Sequence, residues 1–186
     1  DAAATVAAPT AIDLAAASDS GASDSDNVTN VSSLTFDISG VTDGATVQIV
    51  NTANNSVVGE GTAQGTSISI TTNNLAAIGD GTYSLAARQV VGGTASALSP
   101  AIQMTLDRSL PTINRNSFAT TANVSTLFQS DVSGSEEGSG GVYDLTEMPT
   151  GATIDPGTGV VQWTPTAAQE GTHDFTLRLT DLAGNV

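Results

Sequence analysis

The chain has 186 residues, with 19 Asp and Glu against four arginines and no lysine, giving a formal net charge of -15 at pH 7. A surface of that sign repels phosphate backbones and anionic lipid, which argues against nucleic-acid and membrane-surface partners. Cysteine is absent, which excludes disulfides, thiolate metal sites and a cysteine nucleophile.

Period-two alternation, the mark of a half-buried strand, recurs along the first hundred residues. A first strand is expected through Ile12 and Leu14. Leu34, Phe36 and Ile38 then alternate with Thr35, Asp37 and Ser39. Val47 and Ile49 follow the turn Thr42-Asp43-Gly44, and a short strand is expected at Val57-Val58. Ile68 and Ile70 sit within 67–71. Tyr83, Leu85 and Ala87 follow Gly79-Asp80-Gly81, and Ile102, Met104 and Leu106 close the set. About seven strands at this spacing predict a Greek-key sandwich. Dense β-branched residues and frequent Gly or Asx argue against helix. Disorder is the alternative raised by the few aromatics; the regular apolar placement opposes it.

Asp107-Arg108-Ser109-Leu110-Pro111 reads as a domain boundary, because Pro111 cannot donate to a ladder and its fixed φ stiffens the junction. Domains are therefore expected at 1–108 and 109–186. Asp1-Ala2-Ala3-Ala4-Thr5 reads as the matching linker before the first. In the second, Val161 and Trp163 share one parity, and Phe175, Leu177 and Leu179 share another. Asp155-Pro156-Gly157-Thr158-Gly159 is a tight turn between strands. A sandwich would still need a last strand after Asp181-Leu182-Ala183-Gly184-Asn185-Val186, so the chain is read as a piece of something longer. Neither a charged-then-apolar leader nor a long apolar run is found.

Two resemblances are carried by motifs. Pro9-Thr10, Asp13-Leu14 and the run Ser18-Asp19-Ser20-Gly21-Ala22-Ser23-Asp24-Ser25-Asp26-Asn27-Val28-Thr29-Asn30 resemble the opening of bacterial Ig-like repeats in giant adhesins. Asp80-Gly81-Thr82-Tyr83 and Leu106-Asp107 to Pro111 fall where those repeats place them. The second domain resembles the putative-Ig or dystroglycan-type cadherin-like family. That likeness rests on Tyr143-Asp144-Leu145, the run Pro149 to Pro156, Thr158-Gly159-Val160, Trp163-Thr164-Pro165-Thr166 and Gln169-x-Gly171. The Asp-rich loop usual before the Tyr is replaced by Ser135-Glu136-Glu137-Gly138-Ser139-Gly140-Gly141. The fold class expected is all-β, two tandem Ig-like or cadherin-like Greek-key β-sandwiches.

The carboxylates carry the main chemical expectation. Asp19, Asp24 and Asp26 share one loop; in an Ig-like sandwich that loop, Asp80 and Asp107 share a pole. The Asp181–Asn185 loop of the next domain is expected to face it. Calcium wants six to eight oxygens, which one loop rarely supplies, so a metal site of Asp19, Asp24, Asp26, Asp80, Asp107 and Asp181 is expected to staple the junction. The resemblance implies the same, since such repeats often bind calcium there. Equally, aspartates in such loops cap turns and keep a surface soluble. Gln89-Val90-Val91-Gly92-Gly93-Thr94 replaces the family's Asp-x-x-Gly-Asn loop in the first domain, so a weaker or absent site is expected at that domain's opposite pole.

No catalytic set is expected. Glu136 and Glu137 are neighbours in a Gly-Ser loop, whereas a glycosidase pair needs carboxylates about 5–10 Å apart across a cleft. His173 is the only histidine and has no partner for a triad or zinc site. Trp163 shares parity with Val161 and is expected in the core, with sugar stacking as the alternative. The expected role is a stalk segment of a secreted or cell-surface protein, monomeric, whose partners are neighbouring Ig-like domains of the same polypeptide. A module recognising an extracellular glycan or host protein, or an accessory domain of a secreted hydrolase, is the alternative.

Overall fold

The structure is a computed structural model and describes residues 5–72 and 74–186. Of the linker expected at Asp1–Thr5, all but Thr5 lies outside the described residues. The chain divides into two compact units, Asp1–Arg108 and Ser109–Val186.

Unit 1 holds β1 (Ala11–Leu14), β2 (Val28–Thr29), β3 (Leu34–Ser39), β4 (Thr46–Asn51), β5 (Ser56–Thr62), β6 (Ser67–Thr72), α1 (Asn74–Ile78), β7 (Gly81–Val91), β8 (Thr94–Ala95) and β9 (Ile102–Leu106). Their order is β1-β3-β6 in one sheet and β2-β9-β7-β4-β5 in the other, with β8 paired to β7. Neighbours far apart in sequence are the crossovers of a Greek key. Alternation builds this directly: Leu34, Phe36 and Ile38 are buried while Asp37 and Ser39 face out. They meet Val47 and Ile49 of β4, Leu85 and Ala87 of β7, and Met104 and Leu106 of β9 in one core. Each large side chain so buried contributes about 1.5–3 kcal/mol.

The chain enters and leaves unit 1 at opposite ends. Near the entrance Thr10 donates its amide to Ser39 O, and Gln89, close to the end of β7, donates to Ala7 O. At the exit, Gly81 at the start of β7 pairs with Leu106 at the end of β9.

Unit 2 holds β10 (Phe128–Asp131), β11 (Val142–Glu147), β12 (Thr153–Ile154), β13 (Val160–Trp163) and β14 (Thr176–Thr180). One sheet is β10-β13-β12 and the other is β11-β14 alone. Trp163 is 6% exposed and packs edge-on to Phe175 at 5.9 Å between centroids, so it belongs to the core as its parity predicts. Tyr143 lies at the centre of this unit, 1% exposed. Gly159 is required beside it: its φ is +72°, and a Cβ there would sit 2.5 Å from Val132 O and 3.1 Å from the Tyr143 ring. That settles why the Asp155–Gly159 turn ends in glycine. The expected all-β class is borne out in both units.

Candidate functional site

The acidic loop of unit 1 is folded by hydroxyls. After β1 a single 3₁₀ turn, Ala16–Ser18, buries Ser18, whose Oγ accepts the Thr35 amide at 2.9 Å. Thr29, fully buried in β2, donates its hydroxyl to Ser18 O at 2.7 Å. Ser20 Oγ accepts the Asn30 amide at 2.9 Å. Small hydroxyl residues are used here because each satisfies backbone groups that no ladder reaches. β2 then runs parallel to the end of β9, and the Asp107 amide donates to Thr29 O at 2.9 Å. Asp107 and the Asp19–Asp26 loop are thus joined at the exit end of unit 1, where Asp80 also lies.

Asp19 sits inside this loop, 6% exposed. Its Oδ2 accepts the Asn27 amide at 2.9 Å, while its Oδ1 is buried with no hydrogen-bond partner. Desolvation by burial raises its pKa above the ordinary value of 3.8, and the charges of Asp26 and Asp24 raise it further, against the lowering effect of the Asn27 bond. A buried anionic oxygen facing like charges is costly unless a proton or a cation joins it.

The other candidates are differently occupied. Asp24 and Asp26 are exposed, and Asp26 Oδ1 caps the Val28 amide at 3.0 Å. Asp80 is held by Arg108, whose Nε donates to Oδ1 at 2.6 Å and whose amide donates to Oδ2 at 3.1 Å. In unit 2, Asp181 is 5% exposed and uses both oxygens on Asn185: Oδ1 accepts its amide and Oδ2 its side-chain Nδ2, each at 2.8 Å. The Asp-x-x-Gly-Asn pattern is therefore a self-closing loop. Among the described residues, no group of three or more His, Cys, Asp or Glu side chains could hold a metal ion. Five of the six candidate aspartates gather at one end of unit 1, Asp181 belongs to unit 2, and Asp19 alone of the six leaves a buried oxygen unpartnered.

At the entrance end of unit 1 a neutral amide is buried. Gln89, 1% exposed, accepts the Thr42 amide through Oε1 and donates through Nε2 to Ala7 O, both at 2.7 Å. A carboxylate could make only the first bond.

Residues 5–108 match the family model described as Bacterial Ig-like domain. The chain belongs to the bacterial Ig-like family. Residues 110–186 match a second model, described as Putative Ig domain, so two Ig-like domains follow one another. No curated protein matches the chain. A solved structure of Clostridium thermocellum CbhA fibronectin(III)-like modules is similar over 94% of this chain and 88% of that one, at 12% identity and a TM-score of 0.43. Ig-like domains are typically non-catalytic. No helix among the described residues is long and apolar enough to cross a membrane.

The remaining sequence-flagged residues have structural places. Glu136 accepts from the hydroxyls of Ser135 and Ser139. His173 lies edge-on to Trp163 at 5.0 Å, and its Nε2 is 2.8 Å from Gln169 O. Sequence reasoning missed the Arg108 hold on Asp80 and the Gln89 latch. Asp-x-x-Gly-Asn was the one available signal for the Asp181–Asn185 closure.

Proposed function

We propose that this chain is an extender segment, two links in the stalk of a large secreted or surface-displayed bacterial adhesin-like protein, stiffened by calcium at the junction between them. The observation that carries the extender role is the chain path through unit 1, which enters beside Ala7 and Gln89 and leaves beside Asp80 and Arg108. A domain traversed from end to end adds its length to a tandem array. Mutual repulsion of acidic domains favours extension, less so as salt rises.

Asp19 Oδ1 supports the calcium part, since a hard cation would relieve a buried carboxylate oxygen that has no donor. Asp24, Asp26 and Asp107 belong to the same end of the domain and would have to swing in to add oxygens, since as they lie no three such side chains among the described residues stand together. Asp80 would have to share its carboxylate with Arg108. Asp181 would contribute from the following domain, a part of the proposal that rests on the sequence resemblance. The partners in this account are neighbouring Ig-like domains of the same polypeptide, and the protein acts as a monomer. Against the recognition alternative, Trp163, Tyr83 and Tyr143 are all buried, so none offers a flat surface to a sugar.

Small-angle scattering tests the extender role. The maximum dimension is expected to be long and fixed in millimolar calcium, with a broader distance distribution after chelation. A maximum dimension that chelation leaves unchanged contradicts the stiffening.

A further inference from the structure

The acidic end of unit 1 carries one basic side chain. Of the four arginines in the chain, Arg115 and Arg178 belong to unit 2. Arg88 lies opposite Gln48 in the β4-β7 ladder, further along β7 from its start at Gly81, and donates its Nε to Gln48 Oε1 at 2.7 Å. Arg108 alone is brought to the end where Asp80, Asp107 and the Asp19–Asp26 loop lie. There it faces both oxygens of Asp80, its Nε donating to Oδ1 at 2.6 Å and its amide to Oδ2 at 3.1 Å. A chain with 19 acidic residues and so few cations thus places one of them where a divalent cation would otherwise gather carboxylates.

We propose that Arg108 is a built-in competitor for calcium at this end of unit 1, so that the Asp80 carboxylate is shared by turns, held by Arg108 without the metal and by calcium with it. The proposal rests on the reading above that a cation joins Asp19. The two holders make incompatible demands. A guanidinium offers N–H donors in a fixed fork and a single charge, whereas calcium needs several oxygens aimed at one centre and carries two charges. Each Asp80 oxygen already faces a donor of Arg108, so turning either one toward a metal breaks that bond. The hold can compete and can also yield. Both side chains are 34% exposed, and an ion pair so open to water is weak. Asp19 is placed differently, since its buried Oδ1 has no partner to give up. Arg108 therefore sets the calcium concentration at which this end is occupied. The exchange also releases the backbone amide of residue 108, where unit 1 ends.

Calorimetric titration of the 186-residue chain with calcium tests this, beside two variants. Arg108→Gln removes the charge and keeps the length, and Arg178→Gln removes the same charge from unit 2. Arg108→Gln is expected to bind calcium about fivefold more tightly than wild type, the effect of losing one exposed ion pair, with Arg178→Gln unchanged. Hydrogen exchange at the Arg108 amide of the wild type needs no substitution: calcium is expected to speed it, because the amide loses its acceptor. Equal affinity in wild type and Arg108→Gln overturns the proposal and leaves the calcium reading standing. Equal tightening by Arg178→Gln does the same, by making the effect one of net charge, as does an Arg108 amide that calcium leaves unchanged or protects. Binding by Arg108→Gln alone supports the competition and contradicts calcium in the native chain. No binding by any of the three overturns both.

Discussion

The Asn27 amide donates to one carboxylate oxygen of Asp19 at 2.9 Å, and the other oxygen is buried without a donor. The loop thus has fixed the position of an anion without completing its solvation. A loop meant only to turn the chain gains nothing from this, because an exposed Asp caps equally well, as Asp26 does for Val28.

The first prediction concerns pH in calcium-free buffer. The folded-state pKa of Asp19 is raised above 3.8, chiefly by burial, so the folded state holds the proton more tightly than the unfolded chain. Its contribution is fully favourable below the unfolded value and is lost as pH rises through the folded one. Unit 1 of Asp19→Asn is therefore expected to be more stable than wild type at neutral pH, with the difference vanishing in acid. Urea unfolding followed by hydrogen exchange in unit 1, across that range, checks it.

Two tyrosines separate a satisfied hydroxyl from an orphaned one. Tyr83 Oη donates to Gly79 O at 2.6 Å, whereas Tyr143 Oη is buried with no partner. Removing the hydroxyl by Tyr83→Phe is expected to cost unit 1 about 1 kcal/mol. Tyr143→Phe is expected to leave unit 2 unchanged or stabilise it, and Trp163 fluorescence during denaturant unfolding reads that domain.

Gln89→Ala removes two hydrogen bonds, from the Thr42 amide and to the Ala7 carbonyl. Thr42 and Ala7 are themselves exposed, so water can reach both groups, and the expected loss in unit 1 is about 1–3 kcal/mol for the two bonds together. Gln89→Glu keeps an acceptor for Thr42 but cannot donate to Ala7 when ionised, so its deficit should shrink as pH falls. Chemical denaturation at two pH values measures both.

Much of this architecture was legible from residue order. The alternation at Leu34, Phe36 and Ile38 put the right side chains inward, and the parity of Trp163 with Val161 placed it in the core. What escaped notice was short or polar. β2 is two residues long, and α1, with five, is too brief to show a helical period while still burying Leu75. β10 carries Phe128 in a stretch without a motif. The acidic loop was legible as a cluster, but its chemistry was not. Burial of Asp19 goes with the Thr29 hydroxyl and the Thr35 amide, eleven and seventeen positions on from Ser18, folding against that neighbouring residue, and nothing in spacing alone tells it from exposed Asp24.

Thermal unfolding of the whole chain with millimolar calcium or with chelator tests the cation at Asp19 most directly. A ligand held only by the folded state at a hundred times its Kd stabilises by about 2.7 kcal/mol, so calcium is expected to raise the Tm of the first transition by several degrees in wild type and not in Asp19→Asn. Identical Tm values for wild type in calcium and in chelator would contradict the account.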